Sequence, residues 1–213
     1  MITVEKHNKK LLVEGNDDQH IIWALCKKEN INEIFDVINC GGKDGLIKEE
    51  IPMRLKSSDV NTIGIIIDAD TDLNEAWNLL RNKLIAEGFE VPKCLPESGL
   101  IIEGENDNLL KKVGVWIMPN NNLNGMLEDF IAFLVPQNDK LLDVVKSNLT
   151  EIEAERLNKY KPIHRTKAII HSWLAMQEDP GTPLGTSITK KYLNNTYSPA
   201  YQKFIAWLKN LFE

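Results

Sequence analysis

Two stretches of this chain share one design, an apolar run long enough for a buried strand that ends abruptly in acid. Residues 11–13 are Leu-Leu-Val and are followed by Glu14. Residues 65–67 are three isoleucines and are followed by Asp68 and, two residues later, Asp70. Continuous Val, Ile and Leu runs are typical of parallel strands that are buried on both faces of a sheet. The pattern therefore predicts an α/β fold with acidic clusters at two strand ends.

The carboxyl ends of parallel strands lie at one edge of a sheet, where α/β proteins gather their ligands. If the two strands are neighbours, Glu14, Asp68 and Asp70 meet at this edge. Asp18 falls in the first turn of the helix that follows Glu14 and can face back towards it. Carboxylates that share a small site raise one another's pKa, and a hard divalent cation removes this penalty. The sequence therefore predicts a site for Mg²⁺ or Mn²⁺.

Ordinary helix chemistry accounts for some of the neighbouring acids. Asp17 and Asp72 stand where an N-cap or a first helical turn is expected, and both are interpreted as capping residues. Glu14 taken alone is explained equally well as a solvated or capping residue. The glycine after it, which allows a tight turn, and Asp18 four residues later favour the metal interpretation.

Two further motifs have a structural and a functional interpretation. Gly41 and Gly42 before Lys43 are explained equally by a turn with positive φ and by a nest of backbone amides that binds phosphate. Glu128 and Asp129 fall in the first turn of a predicted helix, where the helix dipole alone favours acids. Because neighbours on a helix diverge, only one of the two would point inward, and Glu128 is the candidate metal ligand.

Size and composition limit the possible functions. The 213 residues suffice for one α/β domain with a helical addition. A net charge of −6 argues against a protein that coats nucleic acid electrostatically, but it is compatible with a nuclease. The three cysteines are odd in number and scattered along the chain, which argues against a disulfide framework and against a zinc site. We expect a cytoplasmic protein without membrane contact, because no apolar run has transmembrane length and the N-terminus lacks a signal pattern.

The order of predicted elements divides the chain in two. In residues 10–87 three predicted strands alternate with three predicted helices. This order predicts a parallel sheet with right-handed crossovers. Strand candidates at 99–103 and 113–118 predict an added hairpin, with turn chemistry at Asn106-Asp107. Only helices are predicted after residue 135, namely 139–148, 151–159, 167–176 and 201–212. We therefore expect an α/β part, residues 1–135, with a C-terminal helical extension, residues 136–213, packed on it.

These motifs resemble those of a Toprim domain, the metal-binding catalytic fold of topoisomerases, primases and the overcoming-lysogenisation-defect nucleases. Glu14-Gly15 after the first strand and Asp68-Ala69-Asp70 after a later one match the Toprim pattern in order and context. Glu14 with Asp18 resembles the form found in the nuclease branch. The Toprim-like part covers roughly residues 8–135, by this pattern.

The later part of the chain resembles a narrower group. Pro119, the motif Gly125-x-x-Glu128-Asp129 and residues 167–174 are similar to a small stand-alone Toprim-like family of unknown function. The nuclease branch places a lysine on a strand after its acidic motifs. Lys43 is the substitute candidate here.

The resemblance implies a Mg²⁺-dependent phosphoryl-transfer site. In it Glu14, Asp68 and Asp70 hold metal and act in catalysis with Lys43, and Glu14 is alternatively a general base. The expected function is that of a nuclease, or nuclease-like subunit, acting on DNA or RNA. The alternative is a non-catalytic Toprim-like binding module that acts with a separately encoded partner such as an ATPase. A homo-oligomer is compatible with both.

Overall fold

The computed structural model describes residues 5–106 and 109–213. Its strands are β1 (Lys9–Val13), β2 (Asp36–Asn39), β3 (Thr62–Asp68), β4 (Leu100–Asn106) and β5 (Leu109–Met118). Its α-helices are α1 (Asn16–Glu29), α2 (Lys43–Gly45), α3 (Ile51–Lys56), α4 (Leu73–Ala86), α5 (Leu127–Ala132), α6 (Lys140–Ala154), α7 (Arg165–Ala175), α8 (Leu184–Thr189) and α9 (Pro199–Phe212). A π-helical segment, Leu46–Glu50, joins α2 to α3, and a 3₁₀ turn, Pro162–His164, precedes α7.

The strands form one sheet in the order β2-β1-β3-β5-β4. β1, β2, β3 and β5 are parallel, and β4 runs antiparallel to β5 at the edge. The predicted α/β fold, with a mainly parallel sheet flanked by helices, is confirmed. β4 and β5 are longer than expected, and the predicted turn residue Asp107 lies outside the described residues.

Helices cover both faces of the sheet and bury two separate cores. On one face Ile65 and Val115 pack with α3 and α4. On the other face Ile66 and Trp116 pack with α1, with α5 to α8 and with the C-terminal helix α9. This second core therefore joins the sheet to residues on both sides of position 135.

The close approach of α9 depends on two glycines that face each other in β3 and β5. Gly64 and Gly114 are paired in register. A Cβ added at Gly64 would lie 3.0 Å from the Leu211 side chain, and one at Gly114 would lie 2.5 Å from it. Larger residues would push α9 off the sheet, so these glycines set the helix–sheet distance.

Several helix boundaries differ from the sequence prediction. From the sequence, one helix is expected over residues 46–55, bent or cut at Pro52. In the structure the segment stays helical, and Pro52 falls at the start of α3, directly after the π-helical segment, where the hydrogen-bonding pattern already changes. α6 continues to Ala154 through a predicted break, and α8 was not predicted. No helix in the described ranges is long and apolar enough to span a membrane.

Candidate functional site

The acids that follow β1 and β3 meet at the carboxyl edge of the sheet. β1 and β3 are paired neighbours, so Glu14 lies beside the end of β3. The main-chain N–H of Asp68 donates a hydrogen bond to Glu14 Oε1 over 2.8 Å. The structure thus brings the two sequence motifs into direct contact.

Asp70 reaches the cluster by a different route from the one that the sequence suggests. The alternation of an extended strand would place it on the side of Asp68, but Asp70 has φ 53° and leaves the strand conformation. Its backbone is held by a reciprocal pair of hydrogen bonds with Gly125, of 2.8 and 2.9 Å. The loop after β5 therefore fixes Asp70 in a left-handed conformation that aspartate tolerates better than most residues.

Lys43 joins the acidic motifs. Its Nζ donates to the main-chain oxygen of Asp68 over 2.9 Å, forms an ion pair with Asp70 Oδ2, and lies 3.9 Å from Glu14 Oε1. About a quarter of the lysine side chain is exposed. The ammonium group therefore stands among the acids and partly neutralises them.

The glycine turn before Lys43 is structural. Gly41 has φ 70° and Gly42 has φ 117°, so both need the conformational freedom of glycine. The N–H of Gly41 donates to Asn39 Oδ1, and the N–H of Gly42 donates to the main-chain oxygen of Glu14. Because both amides already have acceptors, the turn interpretation holds for these residues and the phosphate-nest interpretation loses its donors.

Asp18 belongs to the site as well as to the start of α1. Its Oδ2 accepts a hydrogen bond of 3.1 Å from the N–H of Gly15. Gly15 has φ −139°, an extended conformation open to any residue, so the expected tight turn is not its reason. A Cβ at Gly15 would lie only 3.3 Å from Asp18 Oδ2, so glycine is favoured here by space.

The two acids at the start of α5 have separate roles. Asp129 Oδ2 accepts a hydrogen bond from the N–H of Met126 and caps the helix. Glu128 is buried and pairs with Lys167, whose Nζ lies 2.7 Å from Glu128 Oε1. This lysine comes from the first turn of α7 and was not among the predicted site residues. Its sequence signal was weak, since the contact joins residues far apart in the chain.

The acids near the site divide into ligand candidates and caps. Asp72 Oδ1 accepts from the N–H groups of Asn74 and Glu75, as the capping interpretation requires. Asp17 lies exposed in the first turn of α1.

Burial controls the electrostatics of the cluster. It raises the pKa of Asp68 to about 9, helped by the negative charges of Glu14, Asp18, Asp70 and Glu128. Burial, with Glu14 next, raises the pKa of Asp18 to about 7. The pKa of Glu14 is also raised by burial, against the opposing hydrogen bond from Asp68 and the charge of Lys43. The five acids therefore form one electrostatically coupled cluster.

One oxygen of this cluster has no local partner. Asp68 Oδ1 is buried and finds no hydrogen-bond partner among the described residues. A buried polar atom without a partner costs about 1–3 kcal/mol, and more when it is charged. Such an atom at the carboxyl edge of the sheet is a candidate ligand atom.

Residues 8–213 match a protein family of unknown function, DUF3226. The chain belongs to this family. The match extends over the sheet and the C-terminal helices alike. Comparisons with curated proteins and with solved structures gave no significant match.

The candidate ligand atoms of this DUF3226 member are carboxylate oxygens, the chemical type that a hard divalent cation prefers. Carboxylate oxygens are the ligands that Mg²⁺ and Mn²⁺ prefer, and Asp68 Oδ1 has an unused acceptor position. Among residues 5–106 and 109–213, no three His, Cys, Asp or Glu side chains already stand as a group that could hold a metal ion. Since Lys43 lies between Glu14 and Asp70, metal binding here would require these side chains to turn.

Proposed function

We propose that this DUF3226 member is a Toprim-like, Mg²⁺- or Mn²⁺-dependent nuclease, or a nuclease-like subunit, that hydrolyses phosphodiester bonds of DNA or RNA. One observation carries the proposal. At the sheet edge, one carboxylate oxygen of Asp68 is buried without a hydrogen-bond partner among the described residues, and four further acids lie near it. Such a cluster weakens the metal-free fold, and a cation shared with a phosphate substrate would offset that cost.

The positions of the acids suggest which of them would bind the metal ion. Glu14, Asp68 and Asp70 would hold the metal, with Asp18 at its side and Glu128 on the α5 side of the cluster. When bound, the cation supplies charge neutralisation at the scissile phosphate and lowers the pKa of water.

The lysine and glutamate nearest to the strand ends have roles of their own. Lys43 is positioned to contact a phosphate oxygen once its pair with Asp70 opens. As an alternative to binding metal, Glu14, which accepts the Asp68 N–H through Oε1, would take a proton from water through its other carboxylate oxygen.

A non-catalytic binding module is the second candidate, and the ion pair between Lys43 and Asp70 favours it. This pair, with the approach of Lys43 to Glu14, already compensates part of the acidic charge inside the protein. A module of this kind would use the edge to recognise nucleotide or a partner protein such as an ATPase, and it would have no turnover.

One assay separates the two candidates. Plasmid DNA, single-stranded DNA and tRNA are incubated with the protein and Mg²⁺ or Mn²⁺, alongside Glu14→Ala and the control Glu90→Ala. Glu90 is exposed in the loop beyond the end of α4. A nuclease loses cleavage with Glu14→Ala and keeps it with Glu90→Ala. Absence of cleavage by the wild type on every substrate, or equal cleavage by wild type and Glu14→Ala, contradicts the nuclease proposal.

A further inference from the structure

One exposed face of α1 carries a stripe of polar and aromatic side chains that starts at the candidate site. Asn16, His20, Trp23 and Lys27 are all exposed and follow one another at intervals of four, three and four residues. Residues at this spacing lie on one side of a helix. The stripe begins two residues after Glu14, so it leads directly away from the acidic cluster.

The stripe lies in a groove. A cavity of about 560 Å³ is lined on one side by the stripe, together with Asp17 and Ala24, and on the other by α8. A second cavity, of about 410 Å³, shares Trp23 and Lys27 and continues towards β2. The wall made by α8 is close to α1, since a Cβ at Gly185 would lie 2.8 Å from the main-chain oxygen of His20.

Trp23 is the unusual residue of this groove. Its side chain is 42% exposed although tryptophan is among the largest apolar residues. Its ring meets the ring of His20 edge to face, with centroids 5.2 Å apart and planes at 88°. The histidine supports the indole from one edge.

The spacing suits a nucleic-acid strand. At a rise of 1.5 Å per residue, Trp23 lies about 7.5 Å along α1 from Asp18, roughly the length of two stacked nucleotides. Lys27 lies about 6 Å further and can meet a phosphate. Thr186, exposed on α8, can offer its hydroxyl across the groove, whereas the Thr189 hydroxyl donates to the main-chain oxygen of Gly185.

We propose that this groove binds single-stranded nucleic acid, with a base stacked on Trp23 and a phosphate at Lys27. The proposal rests on the proposed function, because it takes the strand to continue from the acidic cluster. Stacking on an aromatic ring is tolerant of sequence and needs an unpaired base, which a duplex does not offer. The groove therefore selects single strands and flexible loops over duplex.

Binding without cleavage tests the groove. Fluorescence anisotropy is measured with a labelled single strand of about 12 nucleotides and with the matching duplex, at low salt and in chelator. Trp23→Ala should weaken single-strand binding about ten-fold and leave duplex binding unchanged. Trp23→Phe should restore most of the affinity and Trp23→Leu should not, because only phenylalanine keeps an aromatic face. Leu79→Ala is the control, since this exposed leucine lies on α4 at the opposite face of the sheet.

The outcomes distinguish the groove from the nuclease site. Trp23-dependent binding without any metal-dependent cleavage supports the groove and contradicts the proposed function. Cleavage with equal single-strand binding by wild type and Trp23→Ala overturns the groove alone. The groove proposal is also wrong if Trp23→Leu binds like the wild type, or if Trp23→Ala abolishes self-association in sedimentation and leaves oligonucleotide binding unchanged.

Discussion

The main-chain N–H of Asp68 donates a hydrogen bond of 2.8 Å to the carboxylate of Glu14. This contact affects the pKa values of the two acids differently. It lowers the pKa of Glu14 against the effect of burial, as does the charge of Lys43. Burial and four acidic neighbours raise the pKa of Asp68 to about 9. Of these two acids, Asp68 is therefore the one whose protonated form is favoured more strongly in the metal-free protein.

The metal-free protein is expected to lose stability as the pH rises. Asp18 and Asp68 have an ordinary pKa of 3.8 and folded values of about 7 and about 9. A raised folded pKa means that the native state binds the proton more tightly than the unfolded state does. This contribution is complete below about pH 4 and is lost as the pH rises through the folded values. Urea denaturation in chelator should show an unfolding free energy that falls between about pH 4 and pH 9.

Asp68→Asn should remove the upper part of this pH dependence. The exchange is nearly isosteric, so packing loss is small, and it removes a buried charge. At about pH 9 the metal-free variant should be about 1–3 kcal/mol more stable than the wild type, while metal-dependent cleavage is lost. The control Glu90→Gln should keep the wild-type slope. Marked destabilisation of Asp68→Asn at every pH would show that this carboxylate supports a structural network.

Mg²⁺ or Mn²⁺ should stabilise the wild type modestly and more strongly at higher pH. A cation competes with the protons on Asp18 and Asp68, so its apparent affinity rises as they ionise. Binding should be weak, because Mg²⁺ keeps much of its water and is often completed by substrate phosphates. Thermal shift with increasing metal at two pH values measures this effect. Equal stabilisation of the wild type and Asp68→Ala would rule against a site at Asp68.

Glu128 and Lys167 should be energetically coupled. The glutamate side chain is 5% exposed, and the hydrogen bond that it accepts from Lys167 raises the pKa of this lysine. Lys167→Ala leaves a buried carboxylate unpaired and should cost about 1–2 kcal/mol, a value reduced by the partial exposure of the lysine. Adding Glu128→Gln should recover much of this loss, and Lys159→Ala is the exposed control. Additive effects in this double-mutant cycle would show that the pair contributes nothing.

The sheet could be predicted because its signals are local. The bounds predicted for β2, Asp36–Asn39, are those observed, and β1 and β3 differ by one residue at one end. The helices that were missed or misplaced depend on contacts that the local sequence does not encode. α8 has only six residues and is held by packing against α1. α6 continues past its predicted end through Thr150, whose hydroxyl donates to the main-chain oxygen of Lys146 and so does not break the helix at this position.

The centre of the site could be predicted from the sequence because strand ends place its side chains. Glu14 and Asp68 could be expected to meet because parallel strands end at one edge. The position of Asp70 depends instead on the loop that brings Gly125 to its backbone, and strand alternation gave the wrong reason for it. Lys167 enters from a helix after the sheet is complete. Residues 167–174 contributed to the family resemblance, but no local pattern assigned this lysine to the site.

Lys43 offers the sharpest test of how the cluster is neutralised. Its ammonium group pairs with Asp70 and lies 3.9 Å from Glu14 Oε1. Lys43→Ala leaves these acids without their nearby cation, so the metal-free variant should be less stable than wild type by about 1 kcal/mol. The added repulsion should also make Mg²⁺ stabilise the variant more than the wild type, because a divalent cation then compensates more charge.

Lys48→Ala is the matched control for this experiment, because Lys48 is exposed and pairs only with the exposed Asp44 among the described ion pairs. Thermal shift with and without Mg²⁺ gives both quantities for the three proteins. A nuclease in which Lys43 contacts phosphate should in addition lose cleavage in Lys43→Ala, even at a metal concentration that restores stability. If Mg²⁺ stabilises Lys43→Ala no more than it stabilises Lys48→Ala, the lysine and the cation do not act on the same acids, and Glu14 and Asp70 are not shared metal ligands.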